Sequence, residues 1–187
     1  MKRRVFIQSI GLVAISFPVW SSTWKTPEQA EGPFYPLSKI PLRQSLILRP
    51  DQVVGSPLML TGEVRDVQGN PVSDARIEFW QCDGQGIYDH PLQSDYEHFD
   101  PAFSGSGAVI TDEKGRYGIQ VLYPVPYPGR PPHIHAKLWK GNQHILTTQL
   151  YLRGNTGSHW ASRERENLQI DPVKTKEGLE AAFVFVV

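Results

Sequence analysis

The sequence predicts an all-β protein, a single β-sandwich domain with long active-site loops, and three observations carry that expectation. Glycine and proline stand at 16 each among 187 residues, above ordinary usage, with many β-branched and aromatic residues between them. Apolar runs are short and alternate with polar residues, the period of a half-buried strand, and they almost nowhere repeat at helical spacing. Turn-forming clusters separate these runs at intervals typical of sandwiches and barrels. The length suits one domain with a real core and is short for two.

The chain starts with MKRRVFIQSIGLVAISFPVWSS, basic at Lys2, Arg3 and Arg4 and then apolar over residues 10–20. That stretch is too short to span a bilayer comfortably, so residues 1–22 read as an export signal, directing a bacterial protein to the periplasm. Arg3-Arg4 followed by Val5-Phe6-Ile7 has the pattern of a twin-arginine signal, which moves folded proteins and would suit one loaded with metal beforehand; an ordinary secretion signal is the alternative. Ser21 and Ser22 offer a cleavage site, and an uncleaved anchor is the other outcome. Without residues 1–22 the formal charge falls from 0 to −3.

The expected domain occupies residues 23–187. Residues 26–36 (TPEQAEGPFYP) carry prolines around a Gly-Pro-Phe-Tyr core and should run extended over the surface. Residues 58–67 and 75–82 have strand character around a Gln68-Gly69-Asn70-Pro71 turn, which predicts a hairpin. Residues 83–107 form a loop long enough to suggest function. A second hairpin is expected from residues 109–111 and 116–122 around Asp112-Glu113-Lys114-Gly115. After a proline-dominated stretch, residues 133–139 and 144–152 flank Lys140-Gly141-Asn142 in the clearest hairpin of all. Residues 154–177 are charged and turn-rich, and residues 181–187 make an apolar closing strand. No internal repeat is present.

Lys plus Arg equals Asp plus Glu at 19 each, and no dense basic block occurs, so nucleic-acid binding is set aside. Cys82 stands alone, which excludes an internal disulfide and a CxxC motif and reads as a small buried thiol.

The sharpest chemical signal is His133-Ile134-His135. Residues two apart on a strand share a face, so both imidazoles can reach one metal ion, although a His-x-His pair alone is also common at surfaces. The surrounding irregular segments supply Tyr88, Tyr96, Tyr123 and Tyr127 rather than cysteines or carboxylates. A phenol, with a pKa of about 10, ionises beside a strongly charged cation and becomes a hard anionic donor. Two tyrosinates with two histidines would favour ferric iron. Taken singly, Tyr96 and Tyr123 fit ordinary packing better.

At these residues the chain resembles the intradiol ring-cleavage dioxygenases, the family of protocatechuate 3,4-dioxygenase and catechol 1,2-dioxygenase. The resemblance lies in Leu60-x-Gly62-x-Val64, Gly69, Val72, Ile77-Glu78-Phe79 and Gly86-Ile87-Tyr88, with the intervening Trp80-Gln81-Cys82-Asp83 spacing kept. It continues through Pro126-Tyr127-Pro128, Arg130-Pro131-Pro132-His133-Ile134-His135 and Thr147-Thr148-Gln149-Leu150-Tyr151, with Glu31-Gly32-Pro33-Phe34-Tyr35 resembling the start of the family domain. It covers residues 26–152.

The resemblance implies Fe(3+) held by Tyr88, Tyr127, His133 and His135, with Tyr127 leaving the metal on substrate arrival and acting as internal base. It implies Arg130 beside the substrate, stabilising negative charge on the ring and oxygen, and Gln149 near the same pocket. The implied partners are an aromatic diol and O2, the diol being opened between its hydroxyl-bearing carbons to a muconate-type diacid. His90, His98 and Arg153 are further candidate substrate contacts. The ligands lie on one chain, so a self-sufficient site in a monomer or homo-oligomer is expected, with a partner subunit as the alternative. The stretch from Tyr127 to His133 is shorter than in many members, and the helical dimerisation region of catechol 1,2-dioxygenases has no counterpart here. Two rivals stand: a noncatalytic transthyretin-like binding sandwich, which needs no such ligand set, and a cupin-like iron(II) dioxygenase, which would want an acid that residues 136–143 lack.

Overall fold

A computed structural model describes residues 24–155 and 163–187; the expected export segment, residues 1–22, lies outside them. Among the described residues no helix is long and apolar enough to cross a membrane. Among the described residues the strands are β1 (Pro57–Arg65), β2 (Ala75–Trp80), β3 (Ser106–Ile110), β4 (Arg116–Leu122), β5 (His133–Lys140), β6 (Gln143–Leu152), β7 (Gln169–Ile170), β8 (Val173–Lys174) and β9 (Leu179–Val186), with a 3-10 turn at Tyr96–His98 and a short helix, α1 (Arg163–Glu166). They form two sheets, ordered β4-β1-β9-β8 and β3-β2-β5-β6-β7, the sandwich that the alternating pattern predicts.

The core lies between the sheets. Leu58, Leu60 and Val64 of β1, Ile119 and Val121 of β4, and Phe185 of β9 meet Ile77 and Phe79 of β2, Ile134, Ala136 and Leu138 of β5, and Leu146 and Leu150 of β6. These positions are an even number of residues apart along each strand, so the odd-spaced residues of β2, β5 and β6 face the other way. That outer face carries the site.

Two expected hairpins are corrected. Strands β1 and β2 belong to different sheets, as do β3 and β4. Both flanks of β1 are already taken, antiparallel by β4 and parallel by β9, so the chain turns at residues 66–71 and crosses to start the second sheet. The turn itself is as expected: the Asp66 carboxylate accepts the backbone N–H groups of Gln68 and Asn70, and Gly69 has φ 86. Residues 112–115 likewise carry the chain between sheets. The β5/β6 hairpin forms as predicted, and β9, the expected last strand, lies inside the first sheet between β1 and β8.

Residues 26–31 run extended, as expected, but the rest of the segment is corrected: the chain turns at Pro33-Phe34, with Gly32 at φ 78. Thr26 N–H donates to Val186 O at 2.8 Å and Gln29 N–H to Thr147 O at 2.9 Å. Farther on, Ala108 N–H donates to Pro41 O and Arg43 N–H to Ala108 O, while Gln120 N–H donates to Gln44 O and Leu46 N–H to Gln120 O. Six residues thus cover the edges of β3 and β4 together, removing two open strand edges.

Gly62 explains one of the recurrent motif positions. A Cβ there would lie 1.7 Å from Phe183 O and 2.9 Å from the Tyr117 hydroxyl, which crosses β1 to donate to Phe183 O at 3.0 Å. We expect Gly62→Ala to cost about 3 kcal/mol or more, read as a lowered urea midpoint at unchanged slope; a shift under roughly 1 kcal/mol would remove this account of the glycine.

Candidate metal centre

Along β5, Ile134, Ala136 and Leu138 enter the core, which turns His133 and His135 to the outer face. Each is only 1–2% exposed, because the entry segment and two loops lie over that face. The His133 and His135 Nε2 atoms are 3.0 Å apart, and the Tyr88 hydroxyl is 3.5 Å from His133 Nε2. The Tyr127 ring stands edge-on to that of Tyr88, with centroids 5.5 Å apart, and 5.5 Å from that of His133. The four residues singled out in the sequence therefore converge.

Local structure explains how the two tyrosines arrive. Asp83, buried just beyond β2, accepts the backbone N–H groups of Gln85 (2.8 Å), Ile87 (3.0 Å) and Asp100 (2.9 Å). Asp100 in turn accepts those of Val54 and Ala102. Two buried carboxylates thus replace the missing ladder and hold the loop that presents Tyr88. Gly86, at φ +87, lets this loop pass the other one, since a Cβ there would press to 3.3 Å from Pro126 O and Tyr127 Cβ. Tyr127 and Arg130 are tied across a tight turn, Arg130 N–H donating to Tyr127 O at 2.9 Å.

Burial sets the electrostatics. It pushes the His133 pKa down to about 4, with the nearby Arg130 and Arg165 charges adding to the effect. It pushes His135 well below the ordinary range, helped by His133 and Arg130. It raises Tyr88 well above a normal phenol and raises Tyr127 too, although Arg130 opposes the shift at Tyr127. All four groups are thus neutral by themselves. His133 Nδ1 donates to Pro131 O at 2.7 Å, so its lone pair sits on Nε2, facing the other donors. His135 Nδ1 is buried without a partner among the described residues. Two imidazole nitrogens and two ionisable phenols suit a hard cation whose charge offsets the desolvation of the phenolates. Among the described residues no three of His, Cys, Asp or Glu cluster to form a different centre.

The β5/β6 register places Gln149 opposite His135 and Tyr151 opposite His133. Gln149 Oε1 accepts from Arg130 Nη2 and from the Tyr151 hydroxyl at 2.8 Å, while its Nε2 donates to Ala30 O at 2.7 Å. Arg130 thus takes part in a polar network beside the four side chains and not in a surface ion pair. The Arg165 guanidinium lies 4.8 Å over the Tyr151 ring.

Sequence reasoning gave no role to Tyr151, Arg165, Asp83, Trp80 or Phe34. Tyr151 was within reach, because the hairpin register assigns it to the His133 face. Arg165 carried no signal, being far along the chain in a charged stretch. Phe34 stacks on Tyr88 at 4.6 Å and Trp80 on His135 at 4.6 Å. His90 is buried, accepts Leu92 N–H at its Nδ1, and helps line a cleft of about 240 Å³ with Phe34, Trp80 and Tyr88. His98 lies in an exposed 3-10 turn and Arg153 pairs with Asp171 on the surface; neither contacts the four-residue cluster. Tyr96 and Tyr123 are surface residues, and Cys82 is the buried thiol expected.

A family model described as dioxygenase matches residues 30–162. Catechol 1,2-dioxygenase of Candida albicans is 33% identical over 139 residues, 64% of this chain and 45% of the relative. The protocatechuate 3,4-dioxygenase beta chain of Burkholderia cepacia is 31% identical over 71% of this chain and 63% of its own length. The chain thus spans about half the length of the curated relatives it matches. Among solved structures, the dioxygenase domain of a dioxygenase carbohydrate-binding protein fusion from Streptomyces sp. SirexAA-E superposes with a TM-score of 0.72 at 30% identity, covering 87% of this chain and 97% of that one. Catechol 1,2-dioxygenase from Acinetobacter sp. ADP1 does so with a TM-score of 0.65 at 27% identity, covering 86% and 62%.

The histidine shifts predict a pH response of the metal-free chain. Below pH 6.5 the unfolded imidazole binds a proton that folded His133 refuses until about pH 4. Stability is therefore full above pH 6.5 and falls as pH drops through that window, by roughly 2 kcal/mol for His133 at pH 5. Urea unfolding between pH 7 and pH 5 should show this slope, and His133→Gln should reduce it by the His133 share while the depressed His135 keeps the rest; an equal slope in the variant would contradict the assignment.

Proposed function

The chain belongs to the intradiol ring-cleavage dioxygenases, and from that premise we propose that it binds ferric iron and opens an aromatic 1,2-diol with O2 between the hydroxyl-bearing carbons. The observation that carries the reading is the convergence of the Tyr88 hydroxyl with the Nε2 atoms of His133 and His135, Tyr127 packed beside them. Tyr88, Tyr127, His133 and His135 would hold the iron. When bound, ferric iron supplies a Lewis acid that draws electron density from a chelated diol and makes the ring reactive toward O2.

The remaining steps fall to the chain's own groups. A diol gives up two protons as it binds; Tyr127 is suited to take one, and the other passes to solvent. Burial raises its pKa, so the phenolate is disfavoured once it no longer faces a cation, and the freed oxygen holds a proton. Tyr88 is more deeply buried, stacked beneath Phe34, and serves as the fixed phenolate donor. Arg130 sits beside Tyr127 with its guanidinium fastened to Gln149, where a fixed positive charge stabilises negative charge growing on the ring and on oxygen. The entry segment keeps water from the buried imidazoles. Both oxygen atoms of O2 enter the product, so a diol and O2 combine into one muconate-type diacid with no by-product.

The chain expressed alone and loaded with ferric iron should be coloured by phenolate-to-iron charge transfer. It should consume one O2 per diol when offered catechol, protocatechuate or hydroxyquinol. Colourless protein that leaves all three untouched would end the proposal. Tyr88→Phe should shift or abolish the colour, and Arg130→Gln should retain it while lowering kcat by about 100-fold; a kcat within threefold of the parent, on the order of 0.6 kcal/mol, would remove Arg130 from the chemistry.

A further inference from the structure

His135 lacks the anchor that fixes His133. The second nitrogen of His133 is tied to Pro131 O, whereas that of His135 is buried with no partner among the described residues. A ligating imidazole is ordinarily oriented through a hydrogen bond from its second nitrogen, so another contact must hold this ring. Trp80 supplies one: the indole lies nearly parallel to the imidazole, centroids 4.6 Å apart and planes 13° from each other. The indole Nε1 is itself buried without a partner, so this tryptophan is used for its face and not for its N–H group.

The indole is in turn held from outside. The Tyr35 ring packs edge-on against it at 5.0 Å, and the Tyr35 hydroxyl donates to Glu78 at 2.7 Å, a carboxylate that also accepts Trp139 Nε1 at 2.9 Å. Lys137 lies 4.2 Å over the Tyr35 ring and pairs with Glu31. At the imidazole edge, a Cβ on Gly32 would be 3.5 Å from His135 Cε1, ordinary contact distance, so the entry segment closes there without displacing the ring.

We propose that Trp80 is the positioning residue of His135: its indole face, backed by Tyr35, which Glu78 holds in turn, sets the imidazole plane in place of a hydrogen bond. The inference rests on reading His135 as a metal ligand. Stacking fixes a plane without choosing a tautomer. His135 can therefore carry its proton on Nε2 toward the His133 lone pair when no metal is bound, and on Nδ1 when Nε2 is needed as a donor, while its support is unchanged.

The test compares the parent chain with Trp80→Phe and Trp80→Leu. In metal-free protein labelled with 13C at histidine Cε1, the His135 resonance, assigned by its loss in His135→Gln, should be shifted upfield by the indole ring current. The shift should be partly kept in Trp80→Phe and lost in Trp80→Leu. Ferric iron affinity, read by chelator competition, should fall about 10- to 100-fold in Trp80→Leu and by less than about threefold in Trp80→Phe, whose flat ring preserves the plane. An unshifted His135 resonance in the parent, or full iron affinity in a folded Trp80→Leu chain, would overturn the proposal. Should Trp80→Leu fail to fold, the ring-current comparison between parent and Trp80→Phe decides. If the parent takes up no iron, the metal reading fails while the stacking result still stands by itself.

Discussion

Everything at the centre depends on the two-residue period of β5. Ile134, Ala136 and Leu138 seat the strand in the core, so the residues between them must emerge on the opposite face. In an ordinary sandwich that face meets water and carries polar residues at little cost. Here it is roofed by the entry segment and by the loops that follow β2 and β4, and the same strand serves the hydrophobic core on one side and a desolvated cluster on the other.

Roofing that face makes charge expensive. The acids nearby are spent on structure: Asp83 and Asp100 on loop amides, Glu78 on Tyr35, Trp139 and Arg76. The groups left facing the centre are two imidazoles and two phenols, which stay neutral in a dry environment and become good donors only when a cation arrives. Loop carboxylates and central phenols therefore divide the work, the first fixing geometry and the second, on the proposed reading, taking up a cation. Water could not hold Tyr88 and His133 in such contact, and an apolar core would give them nothing to bind.

The parts legible in the sequence were those governed by local spacing. His133-Ile134-His135 declares a shared face wherever it lies on a strand, and the Lys140-Gly141-Asn142 turn fixes the β5/β6 register. Tyr88 and Tyr127 were recognisable through their motif surroundings. Strand partnership was not legible, because it is settled by which flanks remain open: β1 and β2 look like a hairpin until β4 and β9 are seen to occupy both sides of β1. The supports of the site were hidden for the same reason. Trp80, Phe34 and Tyr35 read as packing residues, and so they are, but what they pack against comes from segments about fifty residues away.

The turn joining Tyr127 to Arg130 limits how the centre can rearrange. Paired peptide hydrogen bonds in both directions across Pro128-Gly129 make these four residues one rigid clip, and Gln149 grips the clip through the guanidinium. A hinged backbone swing of the phenol would drag the arginine off its amide partner. On the proposed reading, a phenol that leaves the metal would therefore swivel about its own side-chain bonds, a motion that keeps the guanidinium stationary while its neighbour comes and goes.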